Sequence, residues 1–148
     1  MKRKKIVFVC TGNTCRSPMA ELLLRNKIKL SKIKWWDVLS CGTNAEVNGT
    51  INFNAKAVLE ECDIDCSNFT PKQLTQKIIE RAEVVICMTE KQKIMLEGCG
   101  FVTCVKDICG FDIPDPYGGS VELYRQTLNL INKACNEIID KIILTYKD

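Results

Sequence analysis

Residues 5–18 read KIVFVCTGNTCRSP and carry the strongest structural signal of the chain. Lys5–Val9 is rich in β-branched and aromatic residues, a pattern typical of a buried parallel strand. Ser17-Pro18 is a helix-start signal, because proline is favoured in the first turn of a helix. Met19–Arg25 continues with strong helix formers. The sequence therefore predicts a strand, a short loop that contains a glycine, and a helix, in that order.

Cys10 and Arg16 bound the loop, with five residues between them. Backbone N–H groups of residues 11–16 that point inward would donate to the oxygens of a bound phosphate. Arg16 would hold two of those oxygens through its planar guanidinium group. Cys10, beneath the phosphorus and facing these positive groups, would ionise to a thiolate nucleophile. In a chain with 10 cysteines this spacing has little weight alone, and the flanking strand and helix supply the rest.

Length and composition predict one domain over residues 1–148 of the soluble globular kind, with 46% apolar and 26% charged residues. No apolar segment approaches the roughly 20 residues of a membrane span, so we expect no membrane partner. Met1–Lys5 is interpreted as a solvated basic flank that leads into the first strand, and not as a signal peptide. The net charge of +3 is too small to indicate a nucleic-acid partner.

The 10 cysteines predict free thiols in a reducing cytoplasm, since the chain shows no secretion signal. Two pairs could suggest a metal site: Cys62 with Cys66, and Cys104 with Cys109. The chain has no histidine, and neither pair has the C-x2-C spacing of a zinc knuckle. We therefore expect no bound metal.

Strand patterns alternate with helical patterns along the chain. Strands are predicted at Lys5–Val9, Trp35–Ser40, Val84–Met88 and Phe101–Lys106. Helices are predicted at Pro18–Leu30, Ala55–Glu61, Lys72–Arg81 and Glu90–Glu97. A final helix carries an apolar stripe in steps of three and four, formed by Val121, Tyr124, Leu128, Ile131, Cys135, Ile138 and Ile142. This order predicts an α/β fold with a parallel sheet between helices, and a ligand site at the carboxyl ends of the strands, where Cys10 lies.

A cysteine that takes a phosphoryl group needs an acid for the leaving group and a base for water. The best candidate is Asp115, in the loop IPDPYGGS at residues 113–120, where prolines and glycines shape the backbone. Asp115-Pro116 is also a common turn before a helix. Asp107 and Asp112 lie nearby, so composition alone does not select the acid.

Cys10–Pro18, together with Asp115-Pro116-Tyr117 in the C-terminal third, resembles the low-molecular-weight protein tyrosine phosphatase family over essentially the whole chain. The resemblance implies a three-layer α/β sandwich with a four-stranded parallel sheet, flanking helices and the phosphate loop after the first strand. It implies that Cys10 is the nucleophile, Arg16 the phosphate clamp, and Asp115 the general acid and later the base. Hydrolysis of phosphorylated protein substrates would pass through a phosphocysteine intermediate, without metal or cofactor, in a monomeric enzyme.

The other site residues follow from the same resemblance. Asn13 would fix the geometry of the loop, Ser17 would hydrogen-bond the Cys10 thiolate, and Ser40 would support the asparagine. The rest of the phosphate-binding loop is Thr11, Gly12, Thr14 and Cys15. Cys15 could close a reversible disulfide with Cys10 that protects the nucleophile from over-oxidation, or could be a small buried filler. The sequence leaves both open.

Two positions bear on the substrate. Members that act on phosphotyrosine typically have a bulky aliphatic residue where this chain has Thr14, and a threonine there is similar to the bacterial protein arginine phosphatases. Tyr117 stands at the rim, but Gly118 follows it and residues 44–49 contain no aromatic side chain. The sequence therefore favours phosphoarginine in proteins as the substrate, with phosphotyrosine in proteins as the alternative.

The same fold could also carry two other functions. A thioredoxin-coupled arsenate reductase needs two more cysteines to relay a disulfide outward, and Cys87 has Ile94 where its partner is expected. A non-catalytic phosphopeptide-binding module would lack the nucleophile or the acid, and both Cys10 and Asp115 are present. Both functions are less favoured than a phosphatase.

Overall fold

The structure is a computed structural model that describes residues 2–146. Its strands are β1 (Lys4–Cys10), β2 (Trp36–Gly42), β3 (Val84–Cys87) and β4 (Val102–Cys104). They form a four-stranded sheet in the order β2-β1-β3-β4, and every pairing is parallel. The carboxyl ends of the strands therefore share one edge of the sheet, and Cys10, the last residue of β1, lies at that edge.

The helices are α1 (Arg16–Leu30), α2 (Phe53–Glu61), α3 (Gln76–Arg81), α4 (Glu90–Met95), α5 (Val105–Cys109) and α6 (Val121–Ile138), and α6 continues into a π-helical turn (Ile139–Ile143). Polar side chains cap the N-terminal ends of α2, α3, α4 and α6 by accepting backbone N–H groups of the first turn, as N-cap residues do. These caps are Asn52, Thr75, Thr89 and Ser120.

Alternate residues of β1 enter two different cores. Ile6 and Phe8 pack in the larger core, against α1, α2 and α6. Val7 and Val9 pack in a smaller core on the other face of the sheet, which includes Ile79 of α3. Because β1 is covered on both faces, its sequence is a continuous apolar run and does not alternate. The predicted three-layer sandwich is confirmed.

The first half of the predicted helix Lys72–Arg81 is wrong, because α3 begins only at Gln76. Residues 72–74 instead pair with the end of β2. Gly42 donates its N–H to the carbonyl of Lys72 at 2.8 Å, and its own carbonyl accepts from Leu74 at 2.9 Å. This pairing joins residues that are far apart in the chain, so no local pattern indicates it.

The fourth strand is shorter than predicted, and a helix follows it directly. The strand ends at Cys104, and Val105 and Lys106 begin α5, which the sequence pattern does not indicate. Gly110 ends this helix in the left-handed conformation, with φ +90°. Five residues are too few to show a helical period, which explains why the pattern misses α5.

In the part of the chain that the structure describes, no helix has the length and apolar character that a membrane crossing requires.

Candidate active site

Backbone hydrogen bonds hold the loop after β1 against the segment that follows β2. Four carbonyl groups of residues 10–14 accept N–H groups from residues 43–52, at N···O distances of 2.8–3.1 Å. The pairs, donor first, are Thr43 to Cys10, Asn44 to Thr11, Glu46 to Gly12 and Asn52 to Thr14. These carbonyl groups therefore point outward from the loop.

The same bonds fix the direction of the loop N–H groups. In a trans peptide, the N–H of one residue points opposite to the carbonyl of the residue before it, and residues 2–146 contain no cis peptide bond. The N–H groups of residues 11, 12, 13 and 15 therefore point into the loop, and the described backbone offers them no acceptor. The start of α1 follows directly, without a side-chain cap. Together these donors form a cradle for an anion.

Cys10 lies at the floor of this cradle and is 3% exposed. Its Sγ is 2.7 Å from Oγ of Ser17, in the first turn of α1. Either atom can donate the hydrogen of this contact. Above the sulfur is a cavity of about 270 Å³, lined by Cys10, Thr11, Gly12, Thr14, Cys15, Arg16, Asn44, Glu46, Asp115 and Tyr117. The site therefore has a cysteine sulfur beneath a cluster of hydrogen-bond donors.

Asn13 connects the loop to the rest of the site. Its φ is +58°, in the left-handed region that asparagine tolerates better than most residues. Its Nδ2 lies 2.9 Å from the Oγ atoms of both Ser17 and Ser40, and its Oδ1 accepts the N–H of Lys72 at 2.8 Å. The structure thus brings together the three residues for which the sequence predicts a supporting role.

Glu21 is part of the site, and the sequence prediction missed it. This carboxylate is buried in α1, and its Oε1 accepts the hydroxyl of Ser40 at 2.8 Å. Its Oε2 lies 3.4 Å from the guanidinium of Arg25. A chain of hydrogen bonds therefore leads from Glu21 through Ser40, Asn13 and Ser17 to the sulfur of Cys10. The available signal was a glutamate inside the otherwise apolar run MAELLL of residues 19–24.

Arg16 lines the same cavity as Asn44 and Glu46, which belong to the segment that holds Gly12. One of its nitrogens donates to the carbonyl of Ile113 at 3.0 Å, and the other lies 3.8 Å from the carboxylate of Asp115. The Arg16 side chain is buried, whereas that of Asp115 is 56% exposed. This arrangement holds the guanidinium at the cavity and leaves the carboxylate open to solvent and to a substrate.

Among the three nearby aspartates, Asp115 is the one that lines the cavity. Asp107 forms an ion pair with Lys93 at 2.6 Å, and the Lys93 ammonium group lowers the pKa of that carboxyl. Asp112 accepts the backbone N–H of Glu90 at 3.1 Å. The carboxylate of Asp115 accepts the N–H of Tyr117 at 3.1 Å, which fixes the turn that carries both residues.

The cavity rim is mostly polar. Tyr117 is its one aromatic side chain among the described lining residues, and it is 76% exposed. Thr14 presents a short side chain, with its Oγ1 at 3.9 Å from Sγ of Cys15. Gln92 lies behind the loop, with its Nε2 at 3.5 Å from Oγ1 of Thr11. A flat apolar wall on both sides of a substrate is therefore missing from the described site.

Cys15 lines the same cavity as Cys10. Its Sγ lies 3.4 Å from the hydroxyl of Tyr124 in α6. Burial raises the pKa of the Cys15 thiol, and the Tyr124 hydrogen bond opposes this effect without cancelling it. Cys15 is thus a thiol at neutral pH, and a disulfide between it and Cys10 stays a prediction.

Within residues 2–146, no group of three or more Cys, Asp or Glu side chains is arranged to hold a metal ion. Every one of the 10 cysteines is a free thiol.

Comparison with known proteins links this geometry to a family. A sequence profile described as low molecular weight phosphotyrosine protein phosphatase matches residues 5–145. A protein-arginine-phosphatase of Bacillus subtilis is 33% identical over 145 residues, which cover 93% of this chain and 95% of that protein. An arsenate reductase of Staphylococcus saprophyticus is 32% identical over 142 residues, which cover 95% of this chain and 99% of that protein.

A solved structure shows the same fold. It is a cysteine-to-serine mutant of the YwlE arginine phosphatase with a phosphorylated active-site serine. Its TM-score with this chain is 0.86 at 32% sequence identity, and the match covers 93% of this chain and 97% of that one.

Proposed function

The chain belongs to the low molecular weight phosphotyrosine protein phosphatase family, and we propose that this cysteine-dependent protein phosphatase acts on phosphoarginine in proteins. The observation that carries the proposal is the cavity wall, where Thr14 is short and polar and Asp115 supplies a carboxylate. The N–H groups of a guanidinium can pair with a carboxylate, whereas a phenyl ring gains most from flat apolar walls. The name of the Bacillus subtilis relative supports the same substrate.

In the first step, the thiolate of Cys10 attacks the phosphorus. The S–P bond forms as the P–N bond breaks, and the electron pair of that bond goes to the guanidino nitrogen. Asp115 gives its proton to this nitrogen, so that arginine departs with its guanidinium group fully protonated. The loop N–H groups and Arg16 hold the charge on the phosphoryl oxygens during the transfer. The phosphorylated serine of the solved arginine phosphatase mutant supports a covalent intermediate at this position.

In the second step, water hydrolyses the phosphocysteine. The Asp115 carboxylate, which lost its proton in the first step, takes a proton from the attacking water. The new P–O bond forms as the P–S bond breaks, and Cys10 regains its thiolate. Inorganic phosphate then leaves the cradle. One carboxylate therefore serves as acid and then as base, and its exposed position gives water access to it.

Phosphotyrosine is the second candidate substrate, and the aromatic side chain of Tyr117 at the cavity rim favours it. The arsenate reductase function has less support. It needs an accessible second thiol, and Cys87 is completely buried in β3, where burial raises the pKa of its thiol to about 12. Such a thiol neither ionises nor reaches solvent, and both are needed for disulfide exchange.

The free cysteines support a cytoplasmic location for this enzyme. All 10 are thiols, although seven of them are buried and several lie close together in the cores. Structures of proteins from oxidising compartments commonly use such cysteines in disulfides.

The test is a comparison of kcat/KM for a phosphoarginine protein and a phosphotyrosine peptide. Wild type and Thr14→Ile are measured, with Cys10→Ser as the blank. We expect wild type to prefer phosphoarginine. We expect Thr14→Ile to lose much of that preference, because a larger apolar side chain would replace a short polar one in the cavity lining. Thr50→Ile is the matched control, since Thr50 is exposed and lies outside the cavity lining.

A wild-type preference for phosphotyrosine would show that the proposal is wrong and that Thr14 is a passive variant. A preference for phosphoarginine that Thr14→Ile leaves unchanged would keep the substrate and remove Thr14 as its determinant.

A further inference from the structure

Glu46 is a lining residue of the cavity for which the mechanism above has no role. Two backbone bonds hold its position. Its N–H donates to the carbonyl of Gly12 at 3.1 Å, and its carbonyl accepts the N–H of Gly49 at 2.8 Å. The adjacent N–H of Ala45 donates to the side chain of Gln73 at 2.9 Å. Glu46 therefore stands on a backbone segment fixed to the phosphate loop, and not on a free loop.

The carboxylate of Glu46 lies directly beside the phosphate loop. Its Oε2 is 3.7 Å from the position that a Cβ on Gly12 would occupy. The carboxylate is exposed, and no Lys or Arg among residues 2–146 forms an ion pair with it. Glu46 lies next to Gly12, at the start of the loop, whereas Asp115 lies next to Arg16, at its end. The cavity mouth thus carries two carboxylates at different places.

A carboxylate without a cation partner opposes the binding of a plain phosphate monoester. The negative carboxylate of Glu46 and a negative phosphate in the adjacent loop repel each other, although solvent screens part of this repulsion at an exposed site. An aryl phosphate brings no positive group that could offset the repulsion. A phosphorylated guanidinium does, because its nitrogens carry positive charge and N–H donors beside the phosphoryl group. The position of Glu46 therefore disfavours the binding of aryl phosphates and favours the binding of phosphorylated guanidinium groups.

We infer that Glu46 is a specificity-determining residue that accepts N–H groups of the phosphoarginine guanidinium, an inference that rests on the proposed function. Glu46 also solves a problem of charge at Asp115. As a carboxylate, Asp115 can pair with the incoming guanidinium, but it must carry a proton when the P–N bond breaks, and a protonated carboxyl is a poor partner for a cation. Glu46 supplies a second carboxylate, and no step of the mechanism requires a proton transfer from it. Recognition of the cation and protonation of the leaving nitrogen are then assigned to different residues.

The experiment compares Glu46→Gln with wild type on the phosphoarginine protein and the phosphotyrosine peptide. Glutamine keeps the shape of the side chain and removes its charge. We expect kcat/KM for phosphoarginine to fall about 10-fold, mainly through KM, as the loss of one charge-assisted hydrogen bond does. We expect kcat/KM for phosphotyrosine to stay the same or to rise, because a repulsive charge is gone. Glu46→Asp keeps the charge and should restore part of the phosphoarginine activity.

Glu80→Gln is the matched control. Glu80 is exposed and lies beside Lys4 and Lys5, at the opposite end of β1 from Cys10. Its replacement removes the same charge from the protein without touching the cavity, so both activities should remain at the wild-type level.

Three outcomes would overturn the inference. Equal loss of both activities in Glu46→Gln would indicate a structural role for the side chain. An unchanged kcat/KM for phosphoarginine would show that the carboxylate does not contact the guanidinium, while the proposed function would stand. A wild-type preference for phosphotyrosine would remove the proposed function itself, and the inference with it, whatever the variant does.

Discussion

At the residue scale, Asn13 uses nearly all of its hydrogen-bonding capacity to shape the site. Its amide nitrogen donates to the hydroxyl groups of Ser17 and Ser40, and its amide oxygen accepts the backbone N–H of Lys72. Asn13 is completely buried, so an unsatisfied group there would have no water to pair with. The hydroxyl of Ser40 donates in turn to Glu21, and the hydroxyl of Ser17 contacts the sulfur of Cys10. The position of the Cys10 sulfur thus depends on side chains that do not line the cavity.

We predict that Glu21→Gln lowers both activity and stability. The change removes a buried charge that accepts from Ser40 and pairs with Arg25. We expect the free energy of unfolding to fall by about 1–3 kcal/mol, the usual effect of a disrupted buried hydrogen bond to a charged group. We expect kcat to fall while KM stays near its wild-type value, because the phosphate cradle is backbone. Urea unfolding and steady-state kinetics measure the two effects, and an unchanged kcat would separate Glu21 from the nucleophile.

We predict that Cys15 protects Cys10 against irreversible oxidation. Peroxide converts the reactive thiolate to a sulfenic acid, and a neighbouring thiol can trap this product as a disulfide, with loss of water. Wild type inactivated by peroxide should therefore regain activity with dithiothreitol, whereas Cys15→Ser should not. Cys135→Ser is the control, because Cys135 is buried in α6 outside the cavity. Equal recovery in wild type and Cys15→Ser would leave Cys15 as a packing residue.

At the element scale, the site depends on where β2 ends. Gly42, the last residue of β2, lies against the phosphate loop so closely that a Cβ there would be 2.4 Å from the carbonyl oxygen of Thr11. The same glycine pairs on its other side with Lys72 and Leu74. The loop, the end of β2 and the segment before α3 are therefore packed as three adjacent backbones. A side chain between them would displace at least one.

We predict that Gly42→Ala distorts the phosphate loop. The Cβ would meet backbone atoms, which cannot rotate away as a side chain can, so the loop must move. We expect a lower midpoint of urea unfolding and a loss of kcat/KM on every substrate, including small aryl phosphates. Gly12→Ala is the control for stability, since its Cβ would lie at 3.6 Å from Thr14 and 3.7 Å from Glu46, both ordinary contacts. Equal midpoints for the two variants would contradict the prediction.

The elements that the sequence predicts correctly are those whose signal is local. β1 has its apolar run and α1 its Ser17-Pro18 start. α6 has its stripe, of which Tyr124, Leu128, Ile131, Cys135 and Ile138 are buried in the core. The start of α3 depends on pairing with the distant Gly42, and Glu21 belongs to the site only because the fold brings β2 next to α1. Such long-range contacts leave no periodic trace in the sequence.

At the scale of the whole molecule, strand β1 packs in both cores and leads directly into the phosphate-binding loop. β1 is buried on both faces and ends in Cys10, the proposed nucleophile. The phosphate loop is bonded to residues 43–52, and α1 continues from it into the larger core. An anion therefore binds the folded protein and not the unfolded chain, because the unfolded chain has no such arrangement of N–H groups.

We predict that inorganic phosphate raises the melting temperature of the protein. At 100 times the dissociation constant a ligand stabilises the folded state by about 2.7 kcal/mol. For a chain of this size that corresponds to a rise in Tm of roughly 5–10 °C. Arg16→Lys should reduce the shift, because an ammonium group cannot hold two oxygens in the way a guanidinium does. Each variant is compared with itself in phosphate-free buffer, and an equal shift in both proteins would exclude Arg16 as the clamp.

The outward carbonyl groups of residues 10–14 have a consequence for the history of such a protein. Much of the phosphate affinity is carried by the peptide backbone, which most substitutions leave intact. Lining side chains other than Arg16 can therefore be exchanged one at a time in a lineage while the backbone N–H groups continue to hold the anion. An ancestor with this loop could give rise to descendants with different leaving groups through a few point mutations at the rim. The loop would be inherited unchanged, and the substrate range would diversify around it.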